Sequence, residues 1–237
     1  MANAYEIPWK RICVEAVTIV GSILLAFAID AWWEERQERD AELRQLHRVS
    51  AELDANAERI QRKLDVLADA IEGATAFMSW MGPSPVDILE DDYFSQWAEL
   101  FSIGTFALLR NASEDFLAAG DTDSEVSADI RHAVSDWYSY GDDLEAQYAL
   151  LRAAHADLGD YSMDIVPRLK ELNAAGVTQS GLVSRFPFDI AAVLSDPNME
   201  SRLAIYLIRM EFVRRQALDL LERQAILKAL VQQATGE

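Results

Sequence analysis

Cysteine is almost absent from this sequence: the one present, Cys13, sits inside an apolar run. No disulfide can join two points of the chain, so any folded part must be held by packing. Proline is scarce as well, and none falls between Pro8 and Pro83. That long interval leaves room for an unbroken helix. No stretch alternates apolar and polar residues with the period of two that a half-buried strand requires, which argues against a sheet. Basic residues are few: 21 Lys and Arg stand against 40 Asp and Glu, a net charge of −19. A surface so anionic repels phosphate backbones, so nucleic acid is excluded as a main partner, whereas a cationic partner is suited to it. Between residues 81 and 165, 18 acids meet only Arg110, Arg131 and Arg152, so one flank carries most of the field.

Catalytic constellations are equally sparse. The three histidines are His47, His132 and His155, and none belongs to a His-x-x-x-His or Glu-x-x-His pair. Asp129-x-x-His132 alone places a carboxylate three residues before a histidine, whereas a di-iron bundle needs two Glu-x-x-His motifs and two further glutamates. Asp121, Asp123 and Glu125 alternate like the start of a calcium loop. Val126 and His132, however, stand where such a loop needs glycine and glutamate, and helix capping accounts for the cluster. There is no glycine-rich phosphate loop and no Gly-x-Ser-x-Gly. Asp91-Asp92 and Asp142-Asp143 are adjacent, so on a helix they diverge. The expectation is a protein that is not an enzyme, with no catalytic residue, no metal and no cofactor.

What is present begins with residues 12–29, an apolar run interrupted only by Glu15. Extended to Trp32 it reaches the ~20 residues needed to cross a hydrocarbon core of ~30 Å. Trp9 precedes it and Trp32 and Trp33 follow; on a helix Trp9 and Trp32 lie roughly 35 Å apart, which suits anchors at two bilayer interfaces. A cleaved leader is the competing reading, since Ala26-Phe27-Ala28 resembles a cleavage site, but the run is long and passes without a break into helix-forming sequence. A buried core helix is the other, opposed by the tryptophans and by the abrupt onset of charge at Glu34. Glu15, Thr18, Ser22, Ala26 and Asp30 follow steps of three, four, four and four, with Gly21 beside them. Small and polar residues in such a stripe let helices approach closely in lipid, making this the expected membrane-helix contact face. Locally, Arg11 can pair with Glu15. Counting Lys10 and Arg11 against Arg36, Arg39, Arg44 and Arg48 favours a cytoplasmic C-terminal domain, whereas a short basic tail is the signal-anchor pattern. The adopted expectation is N-terminus inside and domain on the periplasmic side.

Beyond Glu34, Leu46, Leu53, Ala57, Ile60, Leu64, Leu67 and Ile71 recur at helical spacing among Glu, Arg, Asp, Gln and Lys. This is the seam of a coiled coil or a bundle helix. Gly82-Pro83-Ser84-Pro85 ends the element. Short helices are predicted around Tyr93–Phe101 and Phe106–Ala119, the latter closed by Gly120. A long helix runs to about Leu158, another covers Ser162–Asn173, and Ala174–Pro187 reads as a loop. Asp196-Pro197-Asn198 caps a last helix to about Gln233, with Leu203, Leu207, Met210, Val213, Leu218, Leu221, Ala225 and Leu230 as its apolar stripe. The aromatics of the acidic part, from Tyr93 to Tyr161, read as core packing or as anchors of a partner surface.

The run Ser22-Ile-Leu-Leu-Ala-Phe-Ala-Ile-Asp30-Ala-Trp32-Trp33-Glu-Glu-Arg36, followed by Leu43-Arg-Gln-Leu-His47-Arg-Val-Ser-Ala-Glu-Leu53, resembles a bacterial family of uncharacterised single-pass membrane-anchored helical proteins. Its members carry a "GILIALQINNWNE"-type transmembrane helix and then a "YLxRLxxEL"-type helix. Ser113–Gly120 and Ile130–Tyr138 are similar to the family's "YEELKSSG" and "LRxxxxxYY" segments. Asp30 and Trp32-Trp33 depart from the family's asparagines. The resemblance implies a bacterial inner-membrane location and a helical fold, and no activity.

The expected architecture is therefore all-α: an N-terminal tail over 1–11, a transmembrane helix over 12–33, continuous with a long coiled-coil-like helix over 34–81, an acidic helical region over 82–195, and a C-terminal helix over 196–237 packing on 34–81 in an extramembrane bundle. The expected function is a non-enzymatic membrane-anchored accessory or scaffold subunit. Its transmembrane helix and acidic domain would dock on an integral membrane protein complex, with the lipid bilayer and membrane subunits as partners. The alternative is a self-associating envelope sensor or signalling anchor that uses the Leu46–Ile71 seam between copies.

Overall fold

A computed structural model describes residues 9–100, 103–119, 125–174 and 184–236, and every regular element among them is a helix. They are α1 (Trp9–Trp80), α2 (Glu90–Leu100), α3 (Asn111–Ala118), α4 (Glu125–Ile165), α5 (Arg168–Ala174), α6 (Ile190–Leu194) and α7 (Pro197–Thr235). The chain divides at Arg48–Val49 into two compact units. The first contains the apolar part of α1.

In the second unit three long helices share one core. Val49, Leu53, Asn56 and Ile60 on α1 are buried at alternating steps of four and three, and Leu67, Ala70, Ala74 and Phe77 resume the rhythm. On α4, Ile130, Val134, Trp137, Leu144, Tyr148, Leu151, Leu158 and Ser162 keep the same register; on α7, Met199, Leu203, Tyr206, Met210, Val213, Ala217, Leu220, Gln224, Leu227 and Val231 do so without a gap. A repeat of 3.5 keeps each seam turned toward its neighbours over many turns. Burying one such leucine or isoleucine is worth ~1.5–3 kcal/mol, so three seams of this length dominate the stability. The Trp137 indole donates to the Leu220 carbonyl at 3.2 Å, and Tyr161 donates to Asp196 at 2.5 Å, which sets α4 and α7 antiparallel. Lys228 pairs with Asp54 at 2.5 Å, Gln224 donates to the Leu53 carbonyl, and the Gly82 amide donates to the Leu194 carbonyl at 3.0 Å, so α1 and α7 are antiparallel too.

Local chemistry sets the ends. Gly82 takes φ +141 directly after α1, a backbone region open to glycine, and Pro83 and Pro85 prevent continuation. Asp196 accepts the Asn198 amide at 2.9 Å with Pro197 in the first turn of α7, and left-handed Gly236 closes it.

Several boundaries differ from the sequence expectation. The helix expected from Phe106 starts only at Asn111, because residues 103–110 give their backbone groups to side chains of α1 and α4. The long helix runs past Leu158 to Ile165, absorbing residues 162–165 of the helix expected over Ser162–Asn173, and Pro167 stops it. A short α6 precedes α7 and was not expected. Gly120 and the Asp121–Ser124 cap, most of the loop over 174–187, and the tail over 1–8 lie outside the described residues. Within the predicted α1 seam, Leu46, Leu53, Ile60, Leu64 and Leu67 are buried, but Ile71 and Ala57 are only half-buried. Ile71 falls between the seam positions Ala70 and Ala74 and so rides on its edge. On α7, Leu218 and Leu230 are exposed, because the seam passes through Ala217, Leu220, Leu227 and Val231 instead.

Candidate functional site

Among the described residues one helix, the N-terminal part of α1, is long and apolar enough to cross a membrane. None of that apolar window is buried by the rest of the chain. Val17, Leu24, Leu25 and Phe27 are 63–72% exposed, and Trp32 and Trp33 about as open at 55% and 54%. An uncovered apolar helix of this length is consistent with a single membrane anchor or a signal sequence. The expected contact face is presented on it. Glu15, Thr18, Gly21, Ser22, Ala26 and Asp30 are all exposed. The Ser22 hydroxyl donates to the Thr18 carbonyl at 2.8 Å, satisfying itself within the helix, and a methyl built on Gly21 would meet nothing within 4 Å. Of the expected interface anchors, Trp32 and Trp33 lie with ring centroids 6.3 Å apart, and the Arg36 guanidinium lies 5.7 Å from the Trp32 centroid. Trp9 begins α1, and its side chain lies outside the described residues.

The second unit holds a polar cluster that the sequence reading did not single out. Glu52, Asn56, Arg59 and Lys63 stand one helical turn apart on α1, and each takes hold of the irregular segment 103–110 or of α3. Glu52 Oε1 accepts the Ser113 hydroxyl at 2.6 Å and the Ser113 amide at 3.1 Å, and lies 2.8 Å from the Tyr138 hydroxyl. Its Oε2 accepts the Ala112 amide at 2.7 Å. Arg110 supplies no side-chain cap to α3, so this distant carboxylate is the cap. Asn56 makes a two-way amide pair with Leu109, accepting its N–H at 2.8 Å and donating to its carbonyl at 2.9 Å. Arg59 donates to the Ala107 carbonyl at 3.3 Å and Lys63 to that of Ile103 at 3.0 Å. Gly104 turns at φ +59, where a side chain would be strained and would crowd the Lys63 ammonium. From α4, Glu145 accepts the Leu108 amide at 3.0 Å, and Arg110 pairs with Asp142 at 2.5 Å and Glu145 at 3.2 Å.

Electrostatics follow from these contacts. Burial would raise the Glu52 carboxyl, but donors from Ser113, Ala112 and Tyr138 outweigh it and hold the carboxyl below its ordinary value. Burial, reinforced by the Glu52 charge, pushes the Tyr138 phenol well above the usual tyrosine range. Burial lowers the Lys63 ammonium. The four donors around this carboxylate fasten α3 and the segment before it to α1. Asn56 gave the one sequence signal that was available: a polar residue at a seam position between Leu53 and Ile60.

Elsewhere the acids line surfaces. Asp69 and Glu72 of α1 face Gln96 and Glu99 of α2 across an open groove of about 460 Å³. His132 lies 3.4 Å from Asp136 on an exposed face, and no group of three or more His, Cys, Asp or Glu among the described residues is placed to hold a metal. Most aromatics of the acidic region serve the core. Tyr93, Phe94, Trp97, Phe116, Trp137 and Tyr148 are buried, with Tyr93 and Trp97 stacked at 5.9 Å. Tyr140 remains 44% exposed, under Arg223 at 3.6 Å. No protein-family model, curated protein or solved structure matches this chain.

Proposed function

We propose that the chain is a non-enzymatic accessory or scaffold subunit, anchored once in a bacterial inner membrane and docked on an integral membrane complex. The observation that carries this reading is the wholly uncovered apolar helix with its stripe of Glu15, Thr18, Ser22, Ala26 and Asp30. In lipid such a stripe gains little by facing acyl chains and much by facing another helix. The same helix runs on unbroken to Trp80, which supports an anchor over a leader. The resemblance of Ser22–Arg36 and Leu43–Leu53 to a family of inner-membrane anchored proteins supports the compartment, and the basic pair Lys10-Arg11 just ahead of the apolar run supports a periplasmic domain. The acidic groove around Asp69, Glu72 and Glu99 offers a second contact to a basic partner.

Self-association as an envelope sensor is the second reading. It loses the surface first expected for it, because Leu53, Ile60, Leu64 and Leu67 are buried within the same chain.

The test is a gentle-detergent pull-down of tagged full-length protein with mass spectrometry, repeated on Ser22→Leu with Ala26→Leu. Stoichiometric integral membrane subunits that vanish in the double variant are the expected result. Recovery of the chain alone from both would overturn the docking reading.

A further inference from the structure

Where α1 leaves its apolar run, one face of the helix carries a graded column of side chains. Leu25, Ile29, Trp32, Arg36 and Asp40 follow steps of four, three, four and four, so they share one side of the helix, and all five are exposed. Outward from the apolar run the column passes from aliphatic to aromatic, then to a cation, then to an anion. The Arg36 guanidinium lies 5.7 Å from the Trp32 ring centroid, turned back toward the apolar run as side chains on a helix are. Neither Arg36 nor Asp40 has an ion-pair partner among the described residues. Arg39 beside them is paired with Glu35 at 3.1 Å, and Glu34 and Glu38 fall on the opposite side of the helix.

We infer that this column seats the phosphoethanolamine headgroup of one lipid of the surrounding bilayer. The inference rests on the anchor reading, because only a helix set in a bilayer meets a headgroup at this height. With acyl chains along Leu25 and Ile29 and the glycerol at Trp32, the phosphate is the first charge met. It falls at Arg36, whose planar guanidinium matches phosphate oxygens. The ammonium follows across an ethylene bridge, farther from the tails, and falls at Asp40, one turn and ~6 Å further along the helix. The order of charges along the column is the order along the lipid with the signs reversed.

Other headgroups fit the column less well. Residues 34–42 hold five acids against Arg36 and Arg39, a field that repels a lipid of net negative charge. A phosphocholine is neutral, but its quaternary ammonium has no N–H to donate to Asp40, and the Trp32 ring that would attract it is already taken by Arg36. A primary ammonium brings three donors to the carboxylate. The column leaves the proposed helix contact free as well. Asp30, the domain-side end of that stripe, is six residues from Arg36 and so lies about a third of a turn round the helix from it.

The experiment uses full-length protein. Reconstituted into dioleoyl phosphatidylcholine vesicles, the chain is expected to resist extraction by alkaline carbonate; its release would overturn the anchor reading and this proposal with it. Native mass spectrometry in mild detergent then counts the lipid retained from an equimolar mixture of dioleoyl phosphatidylethanolamine, phosphatidylcholine and phosphatidylglycerol. One ethanolamine lipid per chain is expected, preferred about fivefold over either of the others, a ratio that one exposed ion pair sustains. Asp40→Asn is expected to erase the preference over choline, and Arg36→Gln to lower retention of both zwitterionic lipids. Exchanging the pair, Arg36→Asp with Asp40→Arg, keeps the net charge but reverses the order, and is expected to abolish the preference. Equal retention of the three lipids, a preference for the glycerol lipid, or an ethanolamine preference that survives the exchange would overturn the proposal, while resistance to carbonate would leave the anchor reading standing.

Discussion

Glu52 of α1 caps a helix that begins 59 residues later: its Oε2 accepts the Ala112 amide at 2.7 Å, and its Oε1 the Ser113 hydroxyl at 2.6 Å. Glu52→Ala leaves the Ala112 amide and the Ser113 amide and hydroxyl without this acceptor, while the Tyr138 hydroxyl keeps the Leu109 carbonyl at 2.8 Å, at a cost of about 2–3 kcal/mol. For a folded unit of this size that is a fall in melting temperature of roughly 4–12 °C. Thermal unfolding followed by circular dichroism reads it; an unchanged midpoint would mean that water replaces the carboxylate without loss.

The same carboxylate makes stability depend on pH. Its folded pKa lies below the unfolded value, so its contribution is fully present above the unfolded carboxylate value of about 4.3 and is lost as pH falls through the folded value. The melting difference between the natural chain and Glu52→Ala is therefore expected to be constant from pH 7 to pH 5 and to shrink below pH 4. A difference that grows on acidification would contradict the assignment.

Asn56 holds Leu109 by both of its backbone groups. Asn56→Ala is expected to cost about 1–3 kcal/mol, chiefly by stranding the Leu109 N–H, since the Leu109 carbonyl keeps the Tyr138 hydroxyl at 2.8 Å. The loss should be local: hydrogen exchange over residues 103–110 should accelerate while the seams of α4 and α7 stay protected. Uniform acceleration across the chain would instead mean that this segment is part of the cooperative core.

Gly141 sits in the α4 seam, where a methyl would come within 2.5 Å of Leu108 Cδ1. Gly141→Ala gains about 1 kcal/mol of helix propensity and meets overpacking of about 1–3 kcal/mol, so the variant is expected to be neutral or up to 2 kcal/mol less stable. Leu108→Ala removes the overlap. Adding Gly141→Ala in that background should stabilise, and denaturant melts of the four proteins in a double-mutant cycle read the coupling.

Much of the helical plan was legible because helix periodicity and helix stops are local. The interval from Pro8 to Pro83 announces α1, and Asp196-Pro197 announces the start of α7. The 103–110 segment was not legible. Phe106, Leu108 and Leu109 suit a helix by themselves, and only Asn56, Arg59 and Lys63 arriving from 40 or more residues away draw their backbone into another path. The candidate membrane stripe was legible because a charge in an apolar run stands out. The Glu52 cluster was not, because a glutamate on a charged helix face looks like every other one until its donors are in place.

The sequence by itself determined the class: an all-helical chain with one apolar helix near its N-terminus, held without disulfides and strongly acidic. Those properties are composition and short-range spacing, which no tertiary contact can alter. The tertiary structure decided which residues of each stripe are core, since Ile71, Leu218 and Leu230 yield to Ala70, Ala74, Ala217 and Val231 once three seams must run at 3.5 residues per turn together. It also decided that the α1 seam is filled by the chain's own helices and that Ile205, Ile208 and Phe212 of α7 stay uncovered. Both follow from where three helices meet, a question of geometry among distant segments rather than of any one of them.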